Sequence, residues 1–267
     1  MRKTALVSLT VAAATSLACG TLTGCSSTSP RAADASQSTA GPAAQPQDST
    51  VRPDSRPKGL IPGIDVSAYQ KKIHWLTVKA RGNRFAYVKA TEGVRYASST
   101  FAAQYAGARK AGLAHGAYHF ATPNTANGKR QADYFLAHGG GGKADGHTLP
   151  GVLDIEKNPY GKDKCYGLSH AKMVAWISAF LKEYHARTGR RAVINTFKDW
   201  WIDCTGNAKA FAATDRLWVN DHKATARKVP VPSAWSSYTI WQWTEKGAYG
   251  DEDYVKSATV YRKLLAD

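Results

Sequence analysis

Short runs of branched and aromatic residues recur from about residue 60 onward, and each run has the length of a β-strand. Amphipathic stretches between these runs end at Gly112, Gly139 and Gly189, in the position where glycine typically stops a helix. This alternation predicts a parallel sheet covered by helices. The predicted strands are residues 63–67, 85–90, 117–121, 151–156, 192–196, 217–220 and 238–244. The predicted helices are residues 99–111, 129–137 and 169–188.

The number of predicted strands narrows the fold class. Seven or eight strands in about 200 residues favour a closed or nearly closed β/α barrel over an open doubly wound sheet. The pattern becomes less helical after Thr196, which predicts that the later part of the barrel is irregular. We therefore predict an α/β protein, an irregular TIM-like β/α barrel, that forms a single domain over residues 59–267.

The first 25 residues are typical of an export signal. Arg2 and Lys3 precede a mostly apolar run at 5–18, which is too short and too rich in Ser and Thr to predict a stable membrane span. Leu22-Thr-Gly-Cys25 resembles a bacterial lipobox, in which Cys25 becomes the lipid-modified first residue. The alternative is an ordinary cleaved secretory peptide. Both interpretations predict an extracytoplasmic protein, either lipid-anchored at the cell surface or secreted.

Residues 26–58 consist mainly of Ser, Thr, Ala, Pro and Gln. A segment with so few large apolar side chains cannot bury enough surface to order itself, so we predict a disordered tether. The chain has 36 Lys and Arg against 20 Asp and Glu, a formal net charge of +16 that favours anionic partners. No nucleic-acid-binding motif accompanies these cations. We expect anionic wall polymers, not nucleic acid, membrane contact only through a lipid anchor, and a monomer.

Two cysteines remain beyond the signal region. Cys165 and Cys204 form an even pair in a chain predicted to be exported, which favours a disulfide over binding of zinc by two isolated cysteines.

Carboxylates stand where several predicted strands end. They are Asp65, Asp154, Glu156 and Asp253. Asp154 and Glu156 are two residues apart on one strand, so their side chains leave the same face and can share one cavity. Two carboxylates in a partly desolvated site repel each other and produce the protonated acid and ionised partner that glycoside hydrolysis needs.

Two other interpretations of these acids remain open. They could cap helices or pair with Lys and Arg on a solvated rim, or they could bind Mg or Ca. A cation site would normally be accompanied by a loop with metal-ligand spacing, which this sequence lacks. We expect no metal and no cofactor.

Several ordered motifs resemble the glycoside hydrolase family 25 lysozymes, the muramidases of the Chalaropsis type. The resemblance covers residues 61–265. The motifs are Gly63-Ile-Asp-Val-Ser-Ala-Tyr-Gln70, Tyr87-Val-Lys-Ala-Thr-Glu-Gly93, Ala111-Gly-Leu-Ala-His-Gly-Ala-Tyr-His-Phe-Ala121, Leu153-Asp-Ile-Glu156, Asp199-Trp-Trp-Ile-Asp-Cys-Thr-Gly206 and Ile240-Trp-Gln-Trp243.

The resemblance implies an irregular β/α barrel that cleaves the β-1,4 bond between N-acetylmuramic acid and N-acetylglucosamine in the glycan strands of peptidoglycan. It implies that Glu156 is the general acid and that Asp154 orients or stabilises the substrate acetamido group. Asp65 and Asp253 match supporting acids. The rival functions are a non-catalytic wall-binding module and a chitinase-like hydrolase.

Aromatic residues near the predicted strand ends are candidates for contact with sugar rings. They are Tyr69, Tyr118, Trp241 and Trp243, and core packing is the alternative for each of them. Glu92 also stands at a strand end. It is a candidate for hydrogen bonding to substrate or for holding Lys89.

Overall fold

A computed structural model describes residues 57–70, 72–225 and 228–266. The predicted signal region, Cys25 and nearly all of the predicted tether lie outside these residues. No helix among the described residues is long and apolar enough to cross a membrane.

The described part of the chain alternates strands and helices. The strands are β1 (Ile61–Val66), β2 (Phe85–Glu92), β3 (Tyr96–Ala97), β4 (Ala114–Phe120), β5 (Val152–Asp154), β6 (Val193–Phe197), β7 (Arg216–Asn220), β8 (Ile240–Thr244) and β9 (Asp251–Val255). The helices are α1 (Trp75–Ala80), α2 (Phe101–Lys110), α3 (Gly128–Phe135), α4 (His170–Thr188), α5 (Lys198–Thr205) and α6 (Ala258–Ala266).

Eight of these strands close into a barrel. The order is β1-β9-β8-β7-β6-β5-β4-β2, and β1 pairs with β2 to complete the ring. Seven of the strands are parallel, whereas β9 runs antiparallel to both of its neighbours, β1 and β8. The short β3 lies outside the ring, against β2. The predicted irregular β/α barrel is confirmed. No helix joins β7 to β8 in residues 221–225 and 228–239, so the later part is irregular as expected.

The end of the barrel at which the parallel strands begin, called the lower end here, is filled by apolar and aromatic side chains. Phe85, Tyr87 and Trp218 are buried there. Gly63 leaves room for the Phe85 ring, because a Cβ at this position would lie 2.4 Å from it. Helix α6 covers this end: Leu264 is buried in the same cluster, and Tyr261 Oη donates a hydrogen bond to the Arg84 carbonyl oxygen at 3.0 Å.

Helix α4 supplies much of the packing outside the barrel. Its buried positions recur every three or four residues, which gives one continuous apolar face. The side chain of Ser169 caps its first turn, and Gly189 ends it with a φ of +72°, a conformation that favours glycine. Both helix boundaries match the sequence prediction.

The predicted disulfide is confirmed. Cys165 and Cys204 are bonded, with Cα atoms 5.3 Å apart, and the bond joins the loop after β5 to α5.

The disulfide closes a loop with a sequence separation of 39 residues. We expect the Cys165→Ala/Cys204→Ala variant to lose about 4 kcal/mol of unfolding free energy, because its unfolded chain is no longer restrained. Urea denaturation of the parent and the variant measures the difference. Reducing the parent should cause a similar loss without further weakening the variant. Equal stability of parent and variant would contradict a stabilising bond.

Candidate active site

The opposite end of the barrel, called the upper end here, contains an acid-lined cavity of about 400 Å³. The carboxylates that line it are Asp65, Asp154, Glu156, Glu245 and Asp251. A smaller pocket of about 20 Å³ is lined by Asp65 and Asp154 again, together with Tyr118, Asn195, Trp218 and Gln242. Glu156 lines only the larger cavity. Among the described residues, no group of three or more His, Cys, Asp or Glu side chains is arranged to hold a metal ion.

The strand register brings these acids together from distant parts of the sequence. Asp65 on β1 stands opposite Asp251 on β9. On the far side of the ring, Asp154 at the end of β5 stands opposite Asn195 on β6. Because alternate residues of a strand face the barrel interior, side chains at these positions converge on one cavity.

Gln242 holds one side of the cavity together. Its Nε2 donates to Asp65 Oδ2 at 2.8 Å and lies 3.5 Å from Asp251 Oδ2. Its Oε1 lies 3.0 Å from His222 Nε2. The amide therefore contributes a hydrogen-bond donor between two carboxylates without adding a charge.

A pair of asparagines holds the other side. The amides of Asn195 and Asn220 bond each other reciprocally at 2.7 and 2.9 Å. Turning the Asn195 amide over satisfies both of its ends: its nitrogen then donates to Asp154 Oδ1 at 3.0 Å and its oxygen accepts from Trp218 Nε1 at 3.2 Å, and the pairing with Asn220 is kept when the Asn220 amide turns over as well. Asp154 is thus fixed by a neutral partner.

Burial dominates the ionisation of these carboxyl groups. Desolvation raises the pKa of Glu156 to about 7, with the Glu245 charge adding to the effect. It likewise raises the pKa of Asp65 to about 6 and that of Asp251 to about 8. The pKa of Asp154 rises well above its usual value, first through burial and then through the Glu156 charge. The site therefore retains protons near neutral pH, as an acid catalyst requires.

A family model for glycosyl hydrolases family 25 matches residues 64–251. The chain belongs to this family. The match contains all five carboxylates of the cavity. The family assigns the chain to the glycoside hydrolases.

Relatives and solved structures within family 25 cover the same region. The chain is 48% identical over 190 residues to lysozyme M1 of Streptomyces globisporus, covering 71% of this chain and 64% of that protein. It is 45% identical over 210 residues to an N,O-diacetylmuramidase of a Chalaropsis species, covering 77% and 99%. The solved structure of a family GH25 lysozyme from Aspergillus fumigatus superposes with a TM-score of 0.75 at 44% identity, covering 78% and 100%. The chain thus spans less than two thirds of lysozyme M1 but almost all of the Chalaropsis protein.

The fourth predicted acid lies in a different layer of the site from the other three. Asp251, not Asp253, lines the cavity of this family 25 barrel. Asp253 stands opposite Gly63 in the ladder, nearer the lower end than the Asp65–Asp251 pair. It is fully buried, and its carboxyl group lies beside the side chains of Asp65 and Trp218. Burial raises its pKa well above the usual value. Asp253 therefore supports the floor of the site and is not placed to touch substrate.

Two of the four predicted aromatic contacts line the cavity. They are Tyr69, which is 91% exposed, and Tyr118. Trp241 is completely buried, and its Nε1 donates to the Asp221 carbonyl oxygen at 2.9 Å, so its predicted role as a sugar platform is wrong. Trp243 does not line the cavity and packs edge-on against Tyr254. Since Gln242 points into the barrel, its two neighbours on β8 point outward.

Glu92 holds Lys89, the second of its two predicted roles. Lys89 Nζ lies 2.6 Å from Glu92 Oε2 and 4.7 Å from the centre of the Phe120 ring. The hydroxyl of Tyr160 also donates to Glu92. Lys89 lines the cavity whereas Glu92 does not, so Glu92 positions a cation at the edge of the site.

Several polar residues of the site are missing from the sequence prediction. They are Lys89, Asn195, Asn220, Gln242 and Glu245. Asn195, Asn220 and Gln242 are buried polar residues near the upper ends of otherwise apolar strands. A polar residue within an apolar strand could have been recognised in the sequence as a candidate site residue, because a buried amide needs a hydrogen-bond partner within the fold.

The raised carboxyl pKa values predict a pH-dependent stability. The folded chain holds the Glu156 proton up to about pH 7, whereas this proton leaves the unfolded chain near the ordinary value of 4.5. The unfolding free energy of the parent should therefore fall as the pH rises from 4.5 through 7. In Glu156→Gln this part of the fall disappears, which stabilises the variant relative to the parent by on the order of 1–3 kcal/mol at pH 8.

Chemical denaturation at pH 4.5, 6 and 8 measures the effect. Asp199→Asn is the matched control, since Asp199 is exposed on α5 and does not line the cavity. It should keep the slope of the parent. Identical slopes for the parent and Glu156→Gln would show that the acid is not held protonated by the fold.

Proposed function

We propose that this chain is an N-acetylmuramidase that hydrolyses peptidoglycan between N-acetylmuramic acid and N-acetylglucosamine. The observation that carries the proposal is the placement of Asp154 and Glu156 side by side in an acid-lined cavity of a family 25 barrel. Relatives that the chain matches over most of its length bear the names lysozyme and N,O-diacetylmuramidase.

Glu156 is the proton donor in this proposal. It lines the large cavity but not the small pocket, whereas Asp154 lines both. Glu156 is therefore nearer to where a glycosidic oxygen can bind. Its pKa of about 7 leaves a large share of the groups protonated at neutral pH. Transfer of that proton to the glycosidic oxygen lets the bond break without expelling an alkoxide.

Asp154 lies deeper in the barrel than Glu156 and assists it in the proposed reaction. It has two carboxylate neighbours, Asp65 and Glu156, so its proton equilibrium belongs to the group and not to one residue. While Glu156 holds the proton that the group shares, Asp154 is ionised, and as Glu156 passes that proton to the glycosidic oxygen, Asp154 can orient the 2-acetamido group for internal attack or attack the anomeric carbon itself. The Asn195 amide at 3.0 Å holds the carboxylate in place for either route.

The surrounding acids support charge development. Hydrolysis passes through a transition state with oxocarbenium-ion character, in which positive charge builds on the sugar ring. Asp65 and Asp251 lie on the wall formed by β1 and β9, linked through Gln242, where they can stabilise that charge. Tyr69 offers an exposed ring at the mouth of the cavity, on which an apolar sugar face can stack.

We expect Glu156→Gln to lower turnover on purified peptidoglycan by about 10³-fold or more, because an amide cannot donate an acidic proton. Release of reducing ends, with mass analysis of the fragments, measures both rate and bond specificity. Glu245→Gln is the matched control, since Glu245 lines the same cavity but its side chain is 59% exposed. This variant should retain most of the activity and lose it at a lower pH, because the Glu245 charge helps to raise the pKa of Glu156.

The same digestion separates the rival functions. Fragments that end in reducing muramic acid support the muramidase. Cleavage of chitin in preference to peptidoglycan would indicate a chitinase-like hydrolase, and binding of peptidoglycan without cleavage would indicate a wall-binding module. Unchanged turnover in Glu156→Gln would contradict the assignment of the acid.

Lipid attachment at Cys25 fits a wall-degrading domain. We propose that residues 1–25 direct export, that Cys25 carries the lipid, and that residues 26–58 are a tether that lets the domain reach the glycan network. Nearly all of these residues lie outside the described part of the chain, so the proposal rests on the lipobox-like motif and on the tether composition.

We expect Cys25→Ala to release the protein from the membrane fraction, because the short apolar run cannot hold it after cleavage. Incorporation of a labelled fatty acid and fractionation of cells test this. Cys19→Ala is the matched control within the same region and should behave as the parent. Equal labelling and equal membrane association of Cys25→Ala would rule out the anchor.

A further inference from the structure

The lower end of the barrel, opposite the proposed active site, carries a concentration of exposed cations. Arg84 immediately precedes β2, and Arg191 is two residues before β6. Arg109 and Lys110 end α2, which places them next to the start of β4. Arg262 and Lys263 lie on α6, the helix that covers this end. All six side chains are exposed.

These cations are not neutralised locally. Within the described residues, none of the six forms an ion pair with a carboxylate. The outer face of α3 and α4 is different, because there Lys129 and Arg187 both pair with Asp133 and Glu183. The lower end therefore keeps a net positive field that a polyanion can neutralise.

Two acids lie near this end and oppose the six cations. Asp145 is ionised, because the backbone amides of His147 and Thr148 donate hydrogen bonds to it and lower its pKa to about 2, so it removes one unit of the positive charge. Asp215 is buried, and its Oδ2 accepts a hydrogen bond from Thr214 at 2.7 Å. Burial also raises the pKa of Asp215.

Helix α6 is fixed in place by two further arginines. Arg190 donates to the Leu264 carbonyl oxygen and Arg216 donates to the Lys263 carbonyl oxygen, each at 3.4 Å. The backbone that carries Arg262 and Lys263 is therefore preorganised, which lowers the entropy lost on binding.

A groove at the same end supplies further polar groups. A cavity of about 570 Å³ is lined by Lys209, Thr214, Arg216, Ser236, Ser237 and Thr239, and also by Asp215. Hydroxyl and cationic donors of this kind suit phosphate oxygens, and the guanidinium groups of arginine bind phosphate in a bidentate manner.

We propose that the lower end of the barrel is a docking surface for a linear polyol phosphate, a polymer with one phosphodiester in each repeat. Such a polymer can contact cations that are distributed over several elements of the fold. Its binding would hold the domain against an anionic matrix while the acid-lined cavity at the opposite end stays free.

The apolar surface argues against two other polyanions. Among the described residues the large exposed hydrophobic side chains are Tyr69, Leu76, Tyr96 and Tyr160. The three tyrosines belong to the upper end, where β1 and β2 finish and where Tyr160 bonds Glu92. Leu76 lies on α1 and is a single aliphatic side chain. The described residues of the lower end therefore include no large exposed aromatic side chain that could stack on nucleic-acid bases, and one leucine is a weak anchor in a lipid surface.

Binding of the full chain to synthetic poly(glycerol phosphate) tests the proposal. The lower-end variant is Arg84→Gln/Arg191→Gln/Arg262→Gln. The matched control is Arg130→Gln/Lys172→Gln/Lys182→Gln, which removes the same net charge from exposed positions on α3 and α4. At about 50 mM salt we expect the lower-end variant to bind about tenfold more weakly or worse, and the control to stay within about twofold of the parent.

Two comparison ligands identify the occupant. Vesicles of phosphatidylcholine and phosphatidylglycerol and a single-stranded oligonucleotide should bind the parent more weakly than poly(glycerol phosphate). Both variants should melt at the temperature of the parent and cleave short soluble glycan fragments at its rate, since the substitutions are exposed and far from the cavity.

An equal loss of affinity in the two variants would overturn the proposal, because binding would then depend on the net charge of the protein and not on where the cations lie. No binding by the parent would also overturn it. Tighter binding to vesicles or to the oligonucleotide would assign the surface to a lipid headgroup layer or to nucleic acid instead. None of these results depends on the bond that the active site cleaves.

Discussion

The acid-lined cavity depends on closure of the barrel by one antiparallel strand, β9. This strand pairs with β1 on one edge and with β8 on the other, so it joins the first parallel strand to the last. Its register sets Asp251 opposite Asp65 and Asp253 opposite Gln242. Without this strand Asp251 would be absent from the wall, and Asp65 on β1 and Gln242 on β8 would lie on separate sheet edges.

Closure of the barrel also has a free-energy cost at the site. Five carboxylates line one cavity and repel one another, and burial penalises the ionised form of four of them, Asp65, Asp154, Glu156 and Asp251. The lower half of the same barrel offsets this cost with buried aromatic side chains such as Tyr87 and Trp218, whose ring centres are 5.0 Å apart. A polar upper half and an apolar lower half of one barrel thus serve catalysis and stability separately.

The sequence predicts the parallel strands well because their apolar runs are buried on both faces. It does not predict β9, whose residues Asp-Glu-Asp-Tyr-Val include acids that are unfavourable in strands. Tertiary pairing with β1 and β8 overrides this preference. The helices α1, α5 and α6 are missing from the prediction because each has fewer than ten residues, which gives periodicity little room to appear. Helix α3 is equally short, but its buried positions 128, 131, 132 and 135 have the spacing of one helix face, so it is predicted.

The depth and direction of a residue within the barrel could not be predicted from the sequence pattern. Asp251 and Asp253 leave the same face of β9, so pattern alone makes them equivalent, and only the depth set by pairing with Asp65 or Gly63 separates them. An indole ring such as that of Trp241 can stack on a sugar. Because its neighbour Gln242 points into the barrel, however, the Trp241 side chain points outward, toward the helices, and is buried. The depth of a side chain in the barrel and the direction in which it points are set when the ring of strands closes. A short stretch of sequence does not contain this information.

The choice of partners around the carboxylates explains how the site keeps a proton at neutral pH. Amides from Asn195 and Gln242 provide donors without charge, whereas Lys or Arg at these positions would stabilise the ionised acids and lower their pKa values. Lys89 lines the cavity and does act in that direction on Asp154 and Glu156. Glu92 lies 2.6 Å from the Lys89 ammonium and offsets much of its field. Glu92 therefore influences the carboxyl pKa values without reaching the cavity, because it lets a lysine occupy the wall while the pKa of Glu156 stays raised.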